Sequence, residues 1–352
     1  MSGGVDSSVA AALLAGERGD NEVVGVWMRT HPDVGEGWEA KRSCCSAEAA
    51  DDARRVAQLL RIPFFILNVE RAFGERVIDA FADGYLAGAT PNPCQACNQY
   101  IKFDELLRRG LATYDADQVA TGHYARVEWR DGRWALLRAA DANKDQTYFL
   151  WVLDQQQLAA TRFPLGELTK PEVRKIAAEL ALPTAEKPES QEICFVPAGD
   201  YRALLAERRG YEGDPGPIVD GAGEVLGIHS GYAHFTVGQR HGLGLALGEA
   251  VYVREIRPAE NTLVIGGRDE MAQRAFEVGD ARWIAGDAPN ERFSCSVRVR
   301  HRAVDVPCEV TLIGANRLTV QTEQPVWAPA PGQAAVFYRG DECLGGGRIA
   351  RT

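Results

Sequence analysis

The chain has 352 residues, which is enough for two or three domains with substantial cores. Its composition, with 45% hydrophobic and 25% charged residues, is that of an ordinary soluble protein, and its net charge of -10 argues against a protein that coats nucleic acid indiscriminately. No run approaches the roughly 18 apolar residues of a membrane span, and the N-terminus lacks a signal-peptide pattern, so we expect a cytoplasmic protein.

The chain opens on a loop rich in serine and glycine, Ser2-Gly3-Gly4-Val5-Asp6-Ser7-Ser8, followed by an apolar helical run. Adjacent glycines let the backbone approach a ligand, and the serine hydroxyls add donors beside the N–H groups that open the helix. This pattern predicts a phosphate cradle, although it has neither the Walker nor the dinucleotide spacing. A helix cap at a mobile N-terminus is the alternative. Asp6 is a candidate either for holding Mg²⁺ or for capping the helix.

A phosphate loop of this kind normally follows a buried parallel strand at the switch point of a sheet. In this chain the sequence begins at Met1, inside the motif. We expect the strand to lie upstream, with Met1 an internal methionine. The alternative is a sheet that lacks a central strand.

Helical and strand patterns then alternate as far as residue 200, which predicts a parallel sheet with helices on both faces. Helices are predicted over 9–15, 46–60, 72–86 and 103–111 and from Thr169, and strands over 22–27, 62–67 and 118–122. The Asp131-Gly132 step predicts a hairpin.

From Tyr201 onwards Gly, Pro and Asp cluster between short β-rich segments, including 250–253 and 262–265. Strands of alternating polarity follow over 293–300, 308–313, 317–321 and 333–338, which suggests a small antiparallel barrel. We therefore predict three domains: an α/β domain over 1–200, a small, mainly β domain over 201–269 and a barrel over 270–352.

The eight cysteines are scattered along the chain, so they are expected to be thiols. Cys94 and Cys97 form a C-x-x-C beside two prolines. It could be half of a zinc site or a redox pair, but no second ligand pair follows, so no metal site is predicted. The stiff turn would present a cysteine near a helix N-terminus, where a thiolate is stabilised. Cys194, between apolar neighbours, reads by itself as a core thiol.

Taken together, these motifs resemble the bacterial tRNA-uridine 2-sulfurtransferases, or 2-thiouridylases, of the PP-loop ATP pyrophosphatase superfamily. The opening loop matches the PP-loop residue for residue, and further matches run in order to Gly347. These are Pro91-Asn92-Pro93 with Cys97, Ala120-Thr121-Gly122-His123-Tyr124, Asn143-Lys144-Asp145-Gln146, Ile193-Cys194-Phe195, Gly238-Gln239-Arg240 with Gly242-Leu243-Gly244, and Pro331-Gly332-Gln333 with Val336-Phe337-Tyr338.

The resemblance implies a Rossmann-like PP-loop domain and ATP-dependent 2-thiolation of wobble uridine 34 in tRNAs for Lys, Glu and Gln. ATP would adenylate the C2 oxygen of the uridine, with Mg²⁺ held mainly through the phosphates. Cys194 would carry a persulfide delivered by a relay protein. Cys97 would be the other catalytic thiol, and a Cys97–Cys194 disulfide would close the turnover.

The resemblance also implies the binding residues. For ATP these are Met1, Ser2, Gly3, Gly4, Val5, Asp6, Ser7, Met28 and Gly122. For tRNA they are Asn92, Pro93, Cys94, His123, Lys144, Asp145, Gln146, Arg300, His301 and Gln333. A satisfied surface histidine is the alternative for His123. Arg298, Arg300 and Arg302 would share one strand face, either solvated or contacting RNA.

The sequence departs from the family at Cys94, where many relatives have aspartate. Cys97 is chosen as the nucleophile because it precedes Asn98 and keeps the spacing to Ile101-Lys102-Phe103. Cys44-Cys45 has no clear role and is interpreted as structural. Two other functions remain open: a PP-loop ligase that needs neither Cys97 nor Cys194, and a tRNA-binding protein with a degenerate nucleotide site.

Overall fold

The computed structural model describes residues 1–17, 22–31, 46–188, 193–196 and 200–351. An α/β region is followed by a small β region and an antiparallel barrel, which confirms the predicted fold class. Cys44, Cys45 and Ser190 lie outside the described residues. Within the five described ranges, no helix has the length and apolar character needed to cross a membrane.

Ten α-helices occur in the described part of the chain. They are α1 (Val5–Gly16), α2 (Ala47–Leu60), α3 (Glu70–Phe73), α4 (Ala80–Leu86), α5 (Pro93–Ala96), α6 (Leu107–Tyr114), α7 (Thr147–Leu150), α8 (Gln155–Ala159), α9 (Lys170–Glu179) and α10 (Tyr201–Arg209).

Two π-helical segments join some of these helices: Gly74–Asp79 between α3 and α4, and Cys97–Leu106 between α5 and α6. The helix predicted over 103–111 therefore starts ten residues too late, because Pro93 at its first turn begins it. Arg76 and Asp104 pair at 2.8 Å between the two π-helical segments. Since π-helical turns are rare and often lie at functional sites, the segment that begins at Cys97 is of particular interest.

The sixteen strands of the described chain form four sheets. They are β1 (Gly25–Arg29), β2 (Phe64–Asn68), β3 (Val119–Ala120), β4 (Arg126–Arg130), β5 (Arg133–Leu137), β6 (Thr161–Arg162), β7 (Gly216–Val219), β8 (Val225–His229), β9 (Val251–Arg257), β10 (Thr262–Gly267), β11 (Ala272–Trp283), β12 (Arg292–Arg298), β13 (Val306–Gly314), β14 (Arg317–Trp327), β15 (Ala334–Arg339) and β16 (Glu342–Ile349).

The N-terminal region contains parallel strands, as predicted, in two pairs: β1 with β2, and β3 with β6. The N-terminal amine of Met1 donates a hydrogen bond to the carbonyl of Val26 in β1. The loop that follows therefore leaves from the side of β1 and leads directly into α1.

The barrel closes because β11 pairs with both β14 and β16. The predicted Asp131-Gly132 hairpin is confirmed as β4–β5, and β5 extends the barrel sheet by pairing with β16. The β4–β5 hairpin of the N-terminal region thus continues the sheet of the C-terminal barrel. This pairing joins two regions that are far apart in sequence. Sequence alone gave no sign of this pairing.

Candidate functional site

The opening loop is shaped by two glycines that leave no room for a side chain. Gly3 has φ of +69°, and a Cβ there would lie 2.2 Å from the carbonyl oxygen of Ala49 in α2. A Cβ on Gly122, just after β3, would lie 2.7 Å from the backbone of Asp6 and Ser7. The start of α1 is therefore packed between α2 and the carboxyl end of β3, where open α/β sheets bind ligands.

Serine hydroxyls hold the loop in this shape. The Ser7 hydroxyl accepts a hydrogen bond from the Ser2 amide at 3.0 Å and donates one to the Gly4 carbonyl at 3.1 Å. Ser8 is fully buried, and its hydroxyl donates to the same carbonyl at 2.9 Å. Val5 is buried as well, so only its backbone can face a nucleotide. Free N–H groups at a helix start such as that of α1 are suited to binding an anion.

Asp6 does not cap α1. Its Oδ1 atom accepts hydrogen bonds from Lys170 Nζ at 2.7 Å and from the Tyr124 hydroxyl at 2.8 Å. The cap of α1 is Gly4, without a side-chain hydrogen bond. Within the described ranges no cluster of three or more His, Cys, Asp or Glu side chains could hold a metal ion. The Lys170 pair leaves Asp6 poorly suited to ligating a cation through Oδ1.

The C-x-x-C lies in the first turns of the helix that begins at Pro93. The Asn92 side chain caps this helix by accepting the Cys94 N–H at 3.1 Å, and Pro93 itself is buried. Cys94 is exposed, whereas Cys97 is half-buried. Buried Asn98 anchors the helix by donating to the Phe149 carbonyl in α7 at 3.0 Å. Cys97 is one turn beyond the helix start, so the helix dipole acts more strongly on Cys94.

Cys97 and Cys194 both pack against one hydrophobic cluster, which Met28 from β1 also contacts. Phe195 belongs to the core of this cluster and makes edge contacts with Phe73 and Phe81, at ring-centroid distances of 5.8 and 5.3 Å. Fully buried Phe195 thus fixes the position of half-buried Cys194. The interpretation of Cys194 from its apolar neighbours alone, as a core thiol, is therefore correct in its packing but not in its burial, since the residue is half-buried.

Lys102, which lies on the same helix as Cys97, forms a polar contact with His123. Lys102 Nζ lies 3.2 Å from His123 Nε2, and His123 Nδ1 lies 2.7 Å from the Thr121 hydroxyl. Because an ammonium only donates, His123 Nε2 is the acceptor and Nδ1 carries the proton that is donated to Thr121. Burial, together with the Lys102 charge, lowers the pKa of His123 well below its ordinary value. His123 is buried, so the surface-histidine alternative is wrong.

Asp145 is buried in a network of charges between the N-terminal region and the barrel. Its carboxylate accepts hydrogen bonds from Thr147 Oγ1 at 2.8 Å and from Arg298 at 3.3 Å, and Arg138 lies at 3.8 Å. Arg298 and Arg138 also pair with Asp305, the first of them at 2.7 Å. This network leaves the Asp145 carboxylate no surface for an RNA contact.

Other predicted tRNA residues are also engaged within the protein. Gln146 accepts the Tyr124 N–H at 2.9 Å, which ties two motifs together. Gln333 donates to the Thr90 carbonyl at 2.9 Å, two residues before Asn92. The expected stripe of three arginines on one strand is wrong, because β12 ends at Arg298. Arg300 and Arg302 follow in the loop.

A cleft of about 460 Å³ lies where all three regions meet. Arg300 and Gln333 line it together with Thr90, Gly238 and Gln239. Arg300 lies 5.1 Å from the Trp327 ring and donates to the Ala328 carbonyl at 2.8 Å. The ring of the next residue, His301, lies 4.5 Å from the ring of Phe149. Phe149 belongs to α7, which anchors the cysteine helix through Asn98.

Sequence reasoning missed two lysines of this region. Lys170 pairs with Asp6, and nothing in the local sequence of α9 pointed to that contact. Lys102 was part of the recognised Ile101-Lys102-Phe103 motif, which could have singled it out. A larger cavity, of about 750 Å³, lies between Tyr100, Trp151 and Trp283 and contains none of the predicted residues.

Comparisons with known proteins agree with this three-part architecture. A family model described as a tRNA methyl transferase HUP domain matches residues 1–198. Models described as a tRNA methyl transferase PRC-barrel domain and an aminomethyltransferase β-barrel domain match residues 203–267 and 273–349.

Three curated relatives share the name tRNA-specific 2-thiouridylase MnmA. The protein of Carboxydothermus hydrogenoformans is 51% identical over 100% of this chain and 96% of its own length. That of Chloroflexus aurantiacus is 50% identical over 100% and 97%, and that of Geobacter metallireducens is 47% identical over 99% and 95%.

Proposed function

The chain belongs to the family of the tRNA-specific 2-thiouridylases, and from that premise we propose that it replaces the C2 oxygen of a tRNA uridine with sulfur. The observation that carries the proposal is the packing of Cys97 and Cys194 against a single hydrophobic cluster, although the two are far apart in sequence. Two thiols that pack against the same cluster suit sulfur transfer. Methyl transfer, which the family-model description mentions, has no need of a second thiol.

We propose that the first step activates the uridine. The C2 carbonyl is a poor electrophile, so its oxygen attacks the α-phosphorus of ATP and pyrophosphate leaves. The N–H groups that open α1 and the hydroxyls of Ser2 and Ser7 are the candidate phosphate ligands. Gly3 and Gly122 keep side chains out of this region, which supports the close approach of a nucleotide. Any Mg²⁺ would be held mainly through the phosphates, since Lys170 engages Asp6.

We assign Lys102 to the same half of the reaction, as a cation that binds a phosphate oxygen. It is half-buried, and among the described residues no carboxylate lies within 4.0 Å of it. Within the described ranges its hydrogen-bond acceptor is His123, whose lowered pKa keeps the ring neutral. His123 directly follows Gly122, which packs on the loop, while Cys97 precedes Lys102 by about one π-helical turn. A charge between loop and thiol that no described carboxylate compensates favours an anionic ligand.

We propose that sulfur arrives as a persulfide on Cys194. The Cys97 thiolate attacks the Cys194 sulfur, so the S–S bond of the persulfide breaks and hydrosulfide leaves as a Cys97–Cys194 disulfide forms. Hydrosulfide attacks C2 of the adenylated uridine, and AMP leaves with the former C2 oxygen. A thiol reductant then restores both cysteines for the next turnover.

The tRNA surface is proposed to include the cleft with Arg300, the neighbouring His301, the exposed Cys94 and its cap Asn92. Lys144, half-buried beside buried Asp145, is a candidate backbone contact. The substrate base would be wobble uridine 34 in tRNAs for Lys, Glu and Gln, splayed out of the anticodon loop. We place this activity in the cytoplasm, with a relay protein fed by a cysteine desulfurase as the sulfur donor.

The test is thiolation of unmodified tRNA with ATP and a persulfide donor. Wild type should form 2-thiouridine, and Cys97→Ser and Cys194→Ser should each abolish transfer. Cys94→Ser is the matched variant from the same turn and should retain far more activity than Cys97→Ser. Activity in a Cys97→Ser/Cys194→Ser double variant would instead indicate another PP-loop ligase. Binding of tRNA without any ATP-dependent chemistry would indicate a binding protein with a degenerate nucleotide site.

A further inference from the structure

Two cysteines that the proposed reaction does not use lie side by side in the barrel. Cys295 in β12 and Cys308 in β13 are directly opposite each other in an antiparallel pair, and their Sγ atoms are 3.6 Å apart. Cys308 belongs to the buried core of the barrel, whereas Cys295 is half-buried at its edge. The two strands thus present one accessible and one enclosed thiol to each other.

The backbone already has the spacing of a disulfide. Directly opposite residues in an antiparallel pair have Cα atoms about 4.5 or 5.5 Å apart, and disulfides are formed across about 4.4–6.8 Å. Bond formation therefore needs rotation of the side chains and a small approach of the sulfurs, with no change of register. The neighbouring pairs Phe293 with Val310 and Val297 with Val306 hold that register on both sides.

We propose that Cys295 and Cys308 are a redox modification site, a dithiol that exchanges with small-molecule disulfides. The Cys295 sulfur attacks one sulfur of the reagent, forming a mixed disulfide and releasing one thiol. Cys308 then attacks the Cys295 sulfur, which forms the Cys295–Cys308 bond and releases the second thiol. Two protein thiols are oxidised, one reagent disulfide is reduced to two thiols, and the two protons leave on those thiols.

The order of attack follows from burial. Contact with Cys295 and burial both raise the pKa of the Cys308 thiol, so Cys308 stays protonated and enclosed until Cys295 has reacted. The bond closes a ring over residues 295–308, which contains Arg300, His301 and Arg302. Oxidation would therefore fasten the base of the hairpin that carries these basic residues.

The test is disulfide mapping of the full-length chain after treatment, in its native state, with oxidised glutathione. Remaining thiols are alkylated, the chain is digested without reductant, and peptides are identified by mass spectrometry. We expect a linked Cys295–Cys308 peptide pair that disappears on reduction with dithiothreitol. Cys94, which is exposed, reports that the reagent reacted, and Cys343, fully buried, should remain alkylatable only after unfolding.

A Cys308→Ala variant provides the second measurement, because it lacks the resolving thiol. It should accumulate the mixed disulfide of Cys295 with glutathione, which wild type should not. Two outcomes would overturn the proposal: both thiols alkylated singly while Cys94 carries glutathione, or a mixed disulfide on Cys295 that persists in wild type. The wild-type map decides between these outcomes even if the variant fails to fold.

Discussion

Asp145 is buried and Lys102 is half-buried, and the charged groups around the two residues differ. Asp145 is in contact with Arg298 and Arg138, which share Asp305, so that cluster is neutralised within the protein. Lys102 instead contacts neutral His123, and no described carboxylate pairs with it. Both clusters lie in motifs that the sequence had marked as functional.

The difference separates residues that hold regions together from residues that are available to a ligand. A buried charge needs a counter-charge, and where the protein supplies one the group is satisfied without a substrate. The Asp145 network spans the N-terminal region and the barrel and is therefore a docking element. Among the residues that the structure describes, Lys102 has no carboxylate partner, so its charge is available to a bound anion.

The largest expected effect on stability comes from removing Asp145 from its network with Arg138, Arg298 and Asp305. Asp145→Ala should reduce the free energy of unfolding by about 3 kcal/mol, because two half-buried guanidinium groups would then share Asp305 alone among the described carboxylates. A urea titration of the full chain measures this change. Asp287→Ala, at an exposed aspartate, is the control and should shift stability by less than about 0.5 kcal/mol. Equal stability of the two variants would mean that Asp145 does not dock the barrel.

Lys102→Met tests whether the charge of Lys102 binds a phosphate oxygen during the reaction. We expect kcat for thiolation to fall about a hundredfold, since a preorganised cation for a phosphate oxygen would be lost. The free energy of unfolding should change by no more than about 1 kcal/mol, because one hydrogen bond to His123 is removed. Lys102→Arg should recover part of the activity. Lys175→Met, at an exposed lysine that pairs with Glu179 at 3.8 Å, is the control; a similar loss of activity there would exclude a special role for Lys102.

The pH dependence of stability probes His123. Its folded-state pKa is below the ordinary value, so in the unfolded chain it binds a proton at a higher pH than in the folded one. The contribution of neutral His123 to the free energy of unfolding is fully present above about pH 6.5. It is lost as the pH falls toward the folded-state pKa, by up to about 1.4 kcal/mol per pH unit. Urea titrations between neutral and acidic pH should show that the free energy of unfolding declines less steeply for His123→Gln than for wild type. Identical slopes for the two proteins would show that the pKa of His123 is the same in the folded and the unfolded chain, which would contradict its lowering by burial.

The smallest effect concerns the cleft. Arg300→Ala should weaken tRNA binding about fivefold, near 1 kcal/mol, and should make the affinity less dependent on salt. Fluorescence anisotropy with labelled tRNA at several salt concentrations measures both. Arg317, exposed on the barrel and paired with Glu277 at 2.6 Å, supplies the control variant Arg317→Ala. Equal affinities for the two variants would remove Arg300 from the tRNA surface.

The opening loop was predictable because its geometry depends on near neighbours. Gly4 is bonded by Ser7 and Ser8, three and four residues later, so the relevant contacts lie within the motif itself. The order of helices and strands could be read from periodicity for the same reason. The two prolines predicted a helix N-terminus beside the cysteines, but the continuous helical run from Pro93 to Tyr114 was not predicted.

The roles of single polar residues were less accessible to sequence reasoning. Asp145, Gln146 and Gln333 belong to recognised motifs, but their partners come from distant segments: Arg298, for example, is 153 residues from Asp145. Motif membership cannot distinguish a residue that meets tRNA from one that meets another part of the chain. The same limit hid the Lys170–Asp6 pair and the Lys102–His123 contact.

The most direct measurement is tRNA-dependent release of pyrophosphate from ATP in the absence of a sulfur donor. It isolates the nucleotide half of the proposed reaction from the sulfur half. A Cys97→Ser/Cys194→Ser variant should release pyrophosphate while forming no 2-thiouridine, and Lys102→Met should release it about a hundredfold more slowly than wild type. Release by Lys102→Met at the wild-type rate would contradict the assignment of the uncompensated charge to the nucleotide.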